Sequence, residues 1–392
     1  MRICINASAA NQGGSVTHLL NLLPQLAKLD SEDRYLVLAP RTTLERLDGV
    51  LSDPIFDSEE YPFLPAQLGR RIIFDQFNVP ALARRYGADL LFSSNGFGTL
   101  ASGRPEALLV RNSIYFSQTL EEKLQELGRS RRDLRLRRAW TLLSIKSSSG
   151  CLFPSKAMQN RVEHYVSLAG RRAKAIHYGF DRDQFFTDAQ PEESVLAPMR
   201  SWSASGRKIL LYVSGYAVHK NFETAIEALA SLLAEGVDVG LVLTAEWKPY
   251  GEMVEFDAMM QRIRELGIEQ HIQMTGLLPW SQLHAVYSAA DIHLWPSFLE
   301  SFGHPMLEAM ASGLPSVAAD TEINREILCE AGVYFDPFDP LACAGAIREA
   351  LEDSSTEQTL QRAAEARSMH FSWATHAESL RAFFADLAPG MA

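Results

Sequence analysis

The sequence predicts two α/β domains, each built on a parallel β-sheet that is covered by helices. The first observation is length, since 392 residues are too many for one compact core and suit two domains. The second is the alternation of short apolar strand patterns with longer helical patterns along the chain. The third is that the opening series of strand, glycine loop and helix recurs from residue 208. These features predict two doubly wound halves with a ligand cleft at the carboxyl ends of the strands.

The first half begins with a strand pattern over residues 2–7, followed by a loop that contains Gly13 and Gly14. Leucines at helical spacing then predict a helix through Leu26. The further strand patterns of this half cover residues 35–39, 89–93, 107–110 and 150–154.

The second half follows a change in composition near residue 190. Residues 187–194 are polar and aperiodic and residues 201–207 are small and loop-like, which is typical of an interdomain connection. A strand over 208–213, a loop over 214–221 and a helix over 222–234 come next. The later strand patterns cover residues 239–244, 271–275, 292–295 and 316–319.

Composition and charge narrow the functional class. The net charge of -11 is unfavourable for a general nucleic-acid binder, which must neutralise phosphates. Cys4, Cys151, Cys329 and Cys343 form no Cys-x-x-Cys pair, so neither a disulfide framework nor a zinc site is indicated. The sequence has no apolar run of about eighteen residues, the length expected of a membrane span. We therefore expect a cytoplasmic protein.

The segment 295–315 carries the most informative pattern. Glu300 lies in the loop after a buried strand, and Pro305 suits the first turn of a helix, which places Glu308 about one turn inside it. Gly303 allows close approach of the backbone, and free amides at the helix start suit a diphosphate. Glu308 can accept two hydrogen bonds from a ribose diol. On their own, two glutamates at this spacing are more typical of a solvated loop and helix face.

With its flanking residues, this segment resembles the retaining glycosyltransferases of family 4. Their signature is two glutamates separated by seven residues around a phenylalanine–glycine pair, and here Glu300 and Glu308 enclose Phe302-Gly303. Four further segments resemble the family in the same order, namely residues 179–185, 276–291, 315–319 and 371–373.

The resemblance implies the GT-B fold, in which two facing Rossmann-like domains with doubly wound parallel sheets enclose a cleft. It also implies a C-terminal helix that packs back on the first domain. We therefore predict an acceptor-side domain over residues 1–188, completed by the helix 373–392. The predicted nucleotide-sugar-binding domain covers residues 189–372.

The resemblance further implies which residues hold a nucleoside-diphosphate sugar, the co-substrate of such enzymes. Glu300 would hold hydroxyl groups of the transferred sugar and Lys220 would contact the diphosphate, so both are candidate catalytic residues. In the family an arginine four residues before this lysine completes the clamp, but Tyr216 stands there in this chain. The implied donor-binding residues are Gly14, Ser214, Gly215, Lys220, Leu278, Ser301, Phe302, Gly303, His304, Met306, Leu307 and Glu308.

In the first domain, Gly13 and Gly14 resemble the glycine pair at which the family's backbone approaches donor phosphate and acceptor. The family often carries a histidine after the fourth strand, whereas this chain has Arg111-Asn112-Ser113 in that region. Asn112 is therefore a candidate for hydrogen bonding to the sugar, as Gly13 is for acceptor contact.

We predict no required metal and no cofactor besides the nucleotide-sugar co-substrate. The one Asp-x-Asp pattern, Asp181-Arg182-Asp183, lies in the segment that resembles the family's domain crossing and not after a strand that faces a donor.

A basic stretch, Arg129–Arg138, contains six arginines in an otherwise acidic protein. Two interpretations remain open: a solvated helix face, or peripheral contact with anionic lipid at the inner face of the cell membrane.

The family resemblance predicts a retaining transfer of a hexose or deoxyhexose to a glycan or lipid-linked acceptor, in bacterial polysaccharide or glycolipid synthesis. A double displacement needs a carboxylate behind the anomeric carbon, and the sequence offers no evident candidate, so same-face attack is favoured. Two alternatives remain: a regulatory protein that binds donor without turnover, and a sugar-nucleotide epimerase.

Overall fold

In a computed structural model of the protein, the described residues are 1–11, 13–29, 32–62, 68–245, 253–352 and 354–388. The chain divides into two compact units. Unit 1 comprises Met1–Gly179 and Ser372–Ala392, and unit 2 comprises Phe180–Phe371.

Thirteen strands are present in the described residues, seven in unit 1 and six in unit 2. Those of unit 1 are β1 (Arg2–Asn6), β2 (Arg34–Pro40), β3 (Phe56–Tyr61), β4 (Leu90–Ser93), β5 (Glu106–Leu109), β6 (Gly150–Phe153) and β7 (Arg172–Ala175). Those of unit 2 are β8 (Lys208–Tyr212), β9 (Val239–Leu243), β10 (Ile272–Met274), β11 (Ile292–Trp295), β12 (Ser316–Ala319) and β13 (Gly332–Phe335).

Sixteen α-helices connect and cover these strands in the described part of the chain. They are α1 (Gly14–Lys28), α2 (Arg41–Leu51), α3 (Leu68–Tyr86), α4 (Gln118–Glu126), α5 (Arg132–Ser147), α6 (Lys156–Glu163), α7 (Arg182–Phe185), α8 (Glu193–Ala204), α9 (Phe222–Ala234), α10 (Met253–Leu266), α11 (Trp280–Ser288), α12 (His304–Ala311), α13 (Glu322–Leu328), α14 (Pro340–Glu352), α15 (Ser354–Ser368) and α16 (Trp373–Leu387). None of the described helices is long and apolar enough to cross a membrane.

Both sheets have the same strand topology, as the recurrent sequence pattern predicts. The order is β3-β2-β1-β4-β5-β6-β7 in unit 1 and β10-β9-β8-β11-β12-β13 in unit 2, and every neighbouring pair is parallel. In each sheet the order reverses next to the unit's first strand, between β1 and β4 and between β8 and β11. Loops that leave the carboxyl ends of these two strands diverge and form a crevice, the usual ligand position in such sheets.

Burial explains why the central strands are evident in the sequence. The apolar residues of β1 and β8 are completely buried, because helices cover both faces of a parallel sheet. In α1 the leucines at 19, 22, 23 and 26 repeat with helical spacing and join the core of unit 1 that contains β1. Helix α16 packs against α1 and contributes Leu380 and Phe384 to that core.

Three strands, β3, β7 and β13, are absent from the sequence prediction. Each lies at the edge of its sheet, with only one neighbouring strand. Edge strands bury less surface, and β3 and β7 include exposed residues and charged side chains in place of a continuous apolar run.

The prediction of a loop over residues 201–207 is wrong for residues 201–204, because α8 extends from Glu193 to Ala204, whereas residues 205–207 follow the helix as a turn. The apolar side chains of Val195, Leu196 and Met199 are buried on one face of this helix and pack in the core of unit 2. In the last turn of α8, serine and alanine residues make the apolar spacing hard to recognise from the sequence.

The division between units falls after Gly179, before the predicted boundary at residue 188. Aromatic packing explains the difference: Phe185 is completely buried in the core of unit 2, and Phe180 and Phe186 pack against that core. The segment 180–188 therefore belongs with unit 2.

Gly179 is the residue of unit 1 at which a side chain is least tolerable. A Cβ atom there would lie 2.1 Å from the backbone nitrogen of Trp373, which cannot move without shifting the start of α16. We expect Gly179→Ala to lower the free energy of unfolding by about 1–3 kcal/mol, the cost of an overpacked site. Urea unfolding monitored by circular dichroism measures this change.

Gly345 in α14 provides the matched control, because no described atom lies within 4 Å of a Cβ placed there. Gly345→Ala should leave stability unchanged or raise it by about 0.5–1 kcal/mol. Equal stability of the two variants would contradict the packing argument.

Candidate functional site

The candidate site of unit 2 lies where its strand order reverses, at the carboxyl ends of β8 and β11. The loop after β8 carries Lys220, and the loop after β11 carries Glu300. Because these parallel strands are direct neighbours, the two loops emerge side by side at one edge of the sheet.

Lys220 and Glu300 form an ion pair in this position. The Lys220 Nζ atom lies 2.6 Å from Glu300 Oε1, and their side chains are only 18% and 12% exposed. The same carboxylate oxygen accepts a hydrogen bond from Ser297 Oγ at 2.7 Å. Lys220 Nζ also lies 4.9 Å from the centre of the buried Trp295 ring, at cation–π distance. Burial opposes ionisation of Glu300, but Lys220 and Ser297 outweigh it and lower the pKa of the carboxyl group.

Hydrogen bonds hold the two loops against each other. The carbonyl oxygen of His219 accepts a hydrogen bond from the Phe298 backbone N–H at 3.1 Å, and it lies at the same distance from Ser297 Oγ, whose single O–H donates to Glu300. The Tyr212 hydroxyl donates to the Lys220 carbonyl oxygen at 2.6 Å. Burial beside Lys220 lowers the pKa of His219 to about 4, so this imidazole is neutral at pH 7. Backbone groups in both loops therefore fix the positions of Lys220 and Glu300.

Asn221 explains how the chain turns from the Lys220 loop into α9. Its backbone is left-handed, with φ 56° and ψ 48°, a conformation that asparagine tolerates better than most residues. The side-chain amide of Asn221 donates to the carbonyl oxygens of Pro296 and Pro337, at 3.2 and 2.5 Å.

Glu308 lies in the interior of the unit, with 5% exposure. Trp280 Nε1 donates to its Oε1 at 2.8 Å, and the Tyr287 hydroxyl donates to its Oε2 at 2.9 Å. Burial raises the pKa of Glu308, and these two hydrogen bonds offset the rise only in part. A carboxylate has about four acceptor positions, so two remain for a ligand such as a ribose diol.

Glu300 and Glu308 thus occupy different electrostatic environments. A cation pairs with Glu300 and lowers its pKa, whereas neutral donors surround Glu308, whose pKa rises. The interpretation of the two glutamates as a solvated surface does not agree with their burial.

Helix α12 begins at His304, as the position of Pro305 predicts, and Gly303 precedes it with φ 90°. The positive φ of Gly303 favours glycine, and a Cβ there would lie 2.4 Å from Met306 Cε, at the movable end of that side chain. The amide of Met306 does not fit the predicted anion site, since it donates to the Gly303 carbonyl oxygen at 3.1 Å. Leu307 is buried in the same helix, and Ser301 and Phe302 lie in the turn before it, with the Phe302 ring buried.

The other predicted donor residues of unit 2 line the loops around this pair. Gly215 is exposed, with open space around it, and the Ser214 hydroxyl donates to its carbonyl oxygen at 3.0 Å. Leu278 is half-buried and packs against the unit's core. Tyr216 places its ring near Phe222 and its hydroxyl 3.4 Å from Glu223 Oε1, so it brings no positive charge to the site.

In unit 1, Gly13 and Gly14 form the start of α1, and Gly13 has φ 57°. A Cβ on Gly14 would lie 3.0 Å from Arg111 Nη2, so an arginine that the sequence prediction did not select lies beside this helix start. Asn112 is half-buried and precedes a 3₁₀ turn over Ser113–Phe116, without a side-chain cap bond.

The Asp181-Arg182-Asp183 pattern has a local structural role. Asp181 caps α7, since its carboxylate accepts from the Gln184 backbone N–H at 3.0 Å and from its side chain at 2.6 Å. Within the described ranges, no group of three or more His, Cys, Asp or Glu side chains is arranged to hold a metal ion.

Sequence reasoning missed five residues that support the site: Tyr212, Trp280, Tyr287, Ser297 and Asn221. Trp280 is distant from Glu308 in sequence, and only packing of α11 against α12 brings its N–H to the carboxylate. The position of Asn221 directly before a predicted helix, after a loop with glycine, is the one signal that could have identified a left-handed cap.

Comparison with known families gives one match in each half of the chain. The model for "Glycosyltransferase Family 4" matches residues 12–184, and the model for "Glycosyl transferases group 1" matches residues 199–367.

Curated relatives match over shorter stretches. The D-inositol 3-phosphate glycosyltransferase of Corynebacterium diphtheriae is 32% identical over 183 residues, which cover 46% of this chain and 43% of that protein. O-antigen chain mannosyltransferase B of Escherichia coli is 34% identical over 119 residues, which cover 30% of this chain and 31% of that protein. The match therefore spans less than half the length of each of these relatives.

A solved structure of Anabaena HepE in complex with UDP-glucose is similar over the whole chain. It covers 98% of this chain and 100% of its own, with a TM-score of 0.73 and 20% sequence identity. At this identity the likeness shows the fold, and it agrees with the two parallel-sheet units described above.

Because the lysine–glutamate pair is buried, we expect its loss to lower the free energy of unfolding. Lys220→Met leaves Glu300 buried without its cation, and we expect the free energy of unfolding to fall by about 3 kcal/mol at pH 7. Because pairing lowers the pKa of Glu300, the stabilisation is complete above the ordinary carboxyl pKa of 4.5 and is lost as the pH falls below it. Urea unfolding at a series of pH values measures both effects.

Lys208→Met is the matched control, since Lys208 pairs with Asp291 at 2.7 Å in the same unit but is 44% exposed. This variant should lose less than about 1 kcal/mol, as solvated pairs do. Equal losses in the two variants would show that burial does not strengthen the Lys220–Glu300 pair.

Proposed function

The chain belongs to the group 1 glycosyltransferases with the GT-B fold, and from this we propose that it moves a hexose or deoxyhexose from a nucleoside-diphosphate sugar to a glycan or lipid-linked acceptor. The observation that carries the proposal is the buried Lys220–Glu300 pair at the strand reversal of unit 2, with Glu308 nearby in sequence on α12.

Lys220 is suited to stabilise the leaving diphosphate. Its ammonium group has three N–H donors, and the contact with Glu300 occupies one of them. Negative charge grows on the departing phosphate oxygen during transfer, so a fixed cation in a site shielded from water acts most strongly in the transition state. The amides around Gly303 and His304 at the start of α12 would add to this effect.

Glu300 and Glu308 are suited to hold hydroxyl groups of the donor. Glu300 Oε1 is engaged by Lys220 and Ser297, and its Oε2 takes no hydrogen bond from the described residues. That oxygen can accept from a hydroxyl of the transferred sugar. Glu308 would accept from the ribose through its two remaining positions.

Transfer would proceed with retention of the anomeric configuration. In this proposal the acceptor hydroxyl attacks from the face that the diphosphate leaves, and the leaving phosphate oxygen takes the proton of that hydroxyl. The glycosidic bond to the nucleotide breaks as the bond to the acceptor oxygen forms, so one nucleoside diphosphate is released for each sugar transferred.

The proposed role is in bacterial polysaccharide or glycolipid synthesis, at the cytoplasmic side of the cell membrane. The names of the relatives from Corynebacterium diphtheriae and Escherichia coli support the choice of acceptors that carry sugar or inositol hydroxyls. The basic stretch Arg129–Arg138 would contact anionic lipid headgroups through arginines on α5. Glu121 already pairs with Arg135 and Arg138, at 3.0 and 2.6 Å, and Asp133 pairs with Arg137 at 2.6 Å, so on α5 the lipid contact would fall to Arg132.

A donor-binding protein without turnover is the second candidate, and Tyr216 is the observation that favours it. The tyrosine adds no charge where the family has an arginine, which weakens the proposed diphosphate clamp. Donor binding without transfer to any acceptor would support this candidate.

A thermal-shift screen against GDP-, UDP- and dTDP-sugars tests the donor site directly. A ligand present at about one hundred times its dissociation constant adds roughly 2.7 kcal/mol of stability and raises the melting temperature.

Glu308→Gln should weaken binding of the donor so identified by about 1.5–3 kcal/mol, because one charged acceptor becomes neutral at nearly constant volume. Glu265→Gln, on the exposed face of α10, is the control. Unchanged donor affinity in Glu308→Gln would remove this residue from the site.

The proposed charge partner also predicts that transfer needs no divalent metal. We expect full activity in excess EDTA and no gain with Mn²⁺, because Lys220 and the start of α12 meet the leaving diphosphate. Activity that EDTA abolishes and Mn²⁺ restores would assign the diphosphate to a metal instead.

Lys220→Ala should lower kcat roughly a hundredfold, as loss of one preorganised group does.

A further inference from the structure

Trp280 links the carboxylate of Glu308 to a cluster of aromatic rings in unit 2. Its indole Nε1–H donates to Glu308 Oε1 at 2.8 Å. The centre of the indole lies 5.5 Å from the ring centre of Phe185 and 6.3 Å from that of Phe180. No step of the proposed transfer uses this tryptophan.

The tryptophan lies at the edge of the sheet where the donor is expected. It is the first residue of α11, and the loop over residues 275–279 joins it to the carboxyl end of β10. Because the sheet of unit 2 is parallel throughout, this edge also carries the lysine–glutamate pair. Leu277 in that loop is 70% exposed and the indole is half-buried. The carboxylate of Glu308 therefore lies next to a segment that a ligand in solution can reach.

Aromatic packing restricts the orientation of the indole. Its plane makes angles of 50° with Phe185 and 74° with Phe180, so the rings pack at a tilt or edge to face. Phe185 is completely buried, and its ring also lies 5.9 Å from that of Tyr287. Rotation of Trp280 away from Glu308 would break these contacts. The N–H group is thus directed at the carboxylate before a ligand binds.

The carboxylate of Glu308 is held at both of its oxygen atoms. Trp280 donates to Oε1, and the Tyr287 hydroxyl donates to Oε2 at 2.9 Å. Each oxygen has two acceptor positions, so each keeps one for a ligand. A carboxylate that is held at one oxygen can turn about its Cγ–Cδ bond, whereas one that is held at both keeps its two free positions in a fixed plane. Such a pair of acceptors matches two neighbouring hydroxyl groups.

We propose that Trp280 is a positioning residue that fixes Glu308 to accept both ribose hydroxyl groups of the donor, so that the site selects ribonucleoside diphosphates over their 2′-deoxy counterparts. This inference rests on the proposed transferase function and narrows its donor class to ribonucleotides. Trp280 acts through Glu308 and need not touch the donor itself.

The selection has an electrostatic cause. A 2′-deoxynucleotide excludes water from Glu308 but leaves one fixed acceptor position of the carboxylate without a donor. A buried polar group without a partner is costly, and sites built to bind a hydroxyl group reject the analogue that lacks it. Without the indole N–H, the carboxylate can turn towards the hydroxyl that remains, and the difference between the two nucleotides becomes smaller.

Isothermal titration calorimetry with matched nucleotides tests this inference on the full chain. The probes are GDP with 2′-deoxy-GDP and UDP with 2′-deoxy-UDP, since the members of each pair differ by a single oxygen atom. Trp280→Phe removes the indole N–H and keeps an aromatic ring against Phe185. Trp202→Phe is the control, because it makes the same exchange at a half-buried tryptophan of unit 2 that lies against Gly240 on β9.

We expect the wild type and Trp202→Phe to bind at least one ribonucleotide roughly tenfold or more tightly than its deoxy partner. In Trp280→Phe this ratio should fall to about threefold or less. A merely structural role of Trp280 would weaken both members of a pair equally and leave the ratio unchanged. If Trp280→Phe does not fold, Tyr287→Phe should lower the ratio in the same way, because it removes the donor to the other oxygen.

The outcomes separate this inference from the proposed function. Equal binding of the paired nucleotides by the wild type, or an undiminished ratio in the folded variant, would overturn the inference, whereas the binding itself would still support a donor site. Ribonucleotide selection that depends on Trp280, without sugar transfer to any acceptor, would sustain the inference and refute the transferase. Failure of the wild type to bind any of the four nucleotides would overturn both.

Discussion

Glu300 occupies a position where an isolated carboxylate would be costly, and the contact with Lys220 makes that position possible. The side chain lies in the loop after a buried strand, with little access to water. Ion pairing and the Ser297 hydrogen bond lower its pKa, so the carboxyl group stays ionised. The loops that follow β8 and β11 must then stay close together. The contacts of the His219 carbonyl oxygen with the Phe298 N–H and with Ser297 Oγ hold them in this position. One electrostatic requirement thus orders two loops that are distant in sequence.

Glu308 shows how a second carboxylate can be held in the same unit by different means. It has no cation, and Trp280 and Tyr287 supply neutral hydrogen bonds in a buried setting. Such a group holds its charge less easily, and a ligand that donates hydrogen bonds would favour the ionised form. The two glutamates are therefore suited to different hydroxyl groups of one donor, although sequence spacing alone makes them appear equivalent.

The two units share one strand order but place their buried ion pairs differently. Each sheet reverses its strand order beside its first strand, and each reversal carries an arginine or lysine paired with a carboxylate. In unit 2 the pair joins two loops, so backbone on either side fixes its position. In unit 1 the partners are Arg71 and Asp75, which both lie on α3, one turn apart.

The sequence by itself determined the class of fold, because central parallel strands such as β8 and β11 are largely apolar and the apolar residues of the neighbouring helices recur at helical spacing. It also nominated Glu300, Glu308 and Lys220 as candidate site residues, the glutamates from the strand, loop and helix pattern around them and Lys220 from the family resemblance. It did not reveal the edge strands β3, β7 and β13, and in β3 and β7 exposed and charged residues take the place of an apolar run. The contacts of Trp280 with Glu308, of Lys220 with Glu300, and of Arg71 with Phe97 in the loop after β4 were decided by the tertiary structure alone. Each depends on side chains from separate elements meeting at one edge of a sheet, and no local pattern encodes that distance.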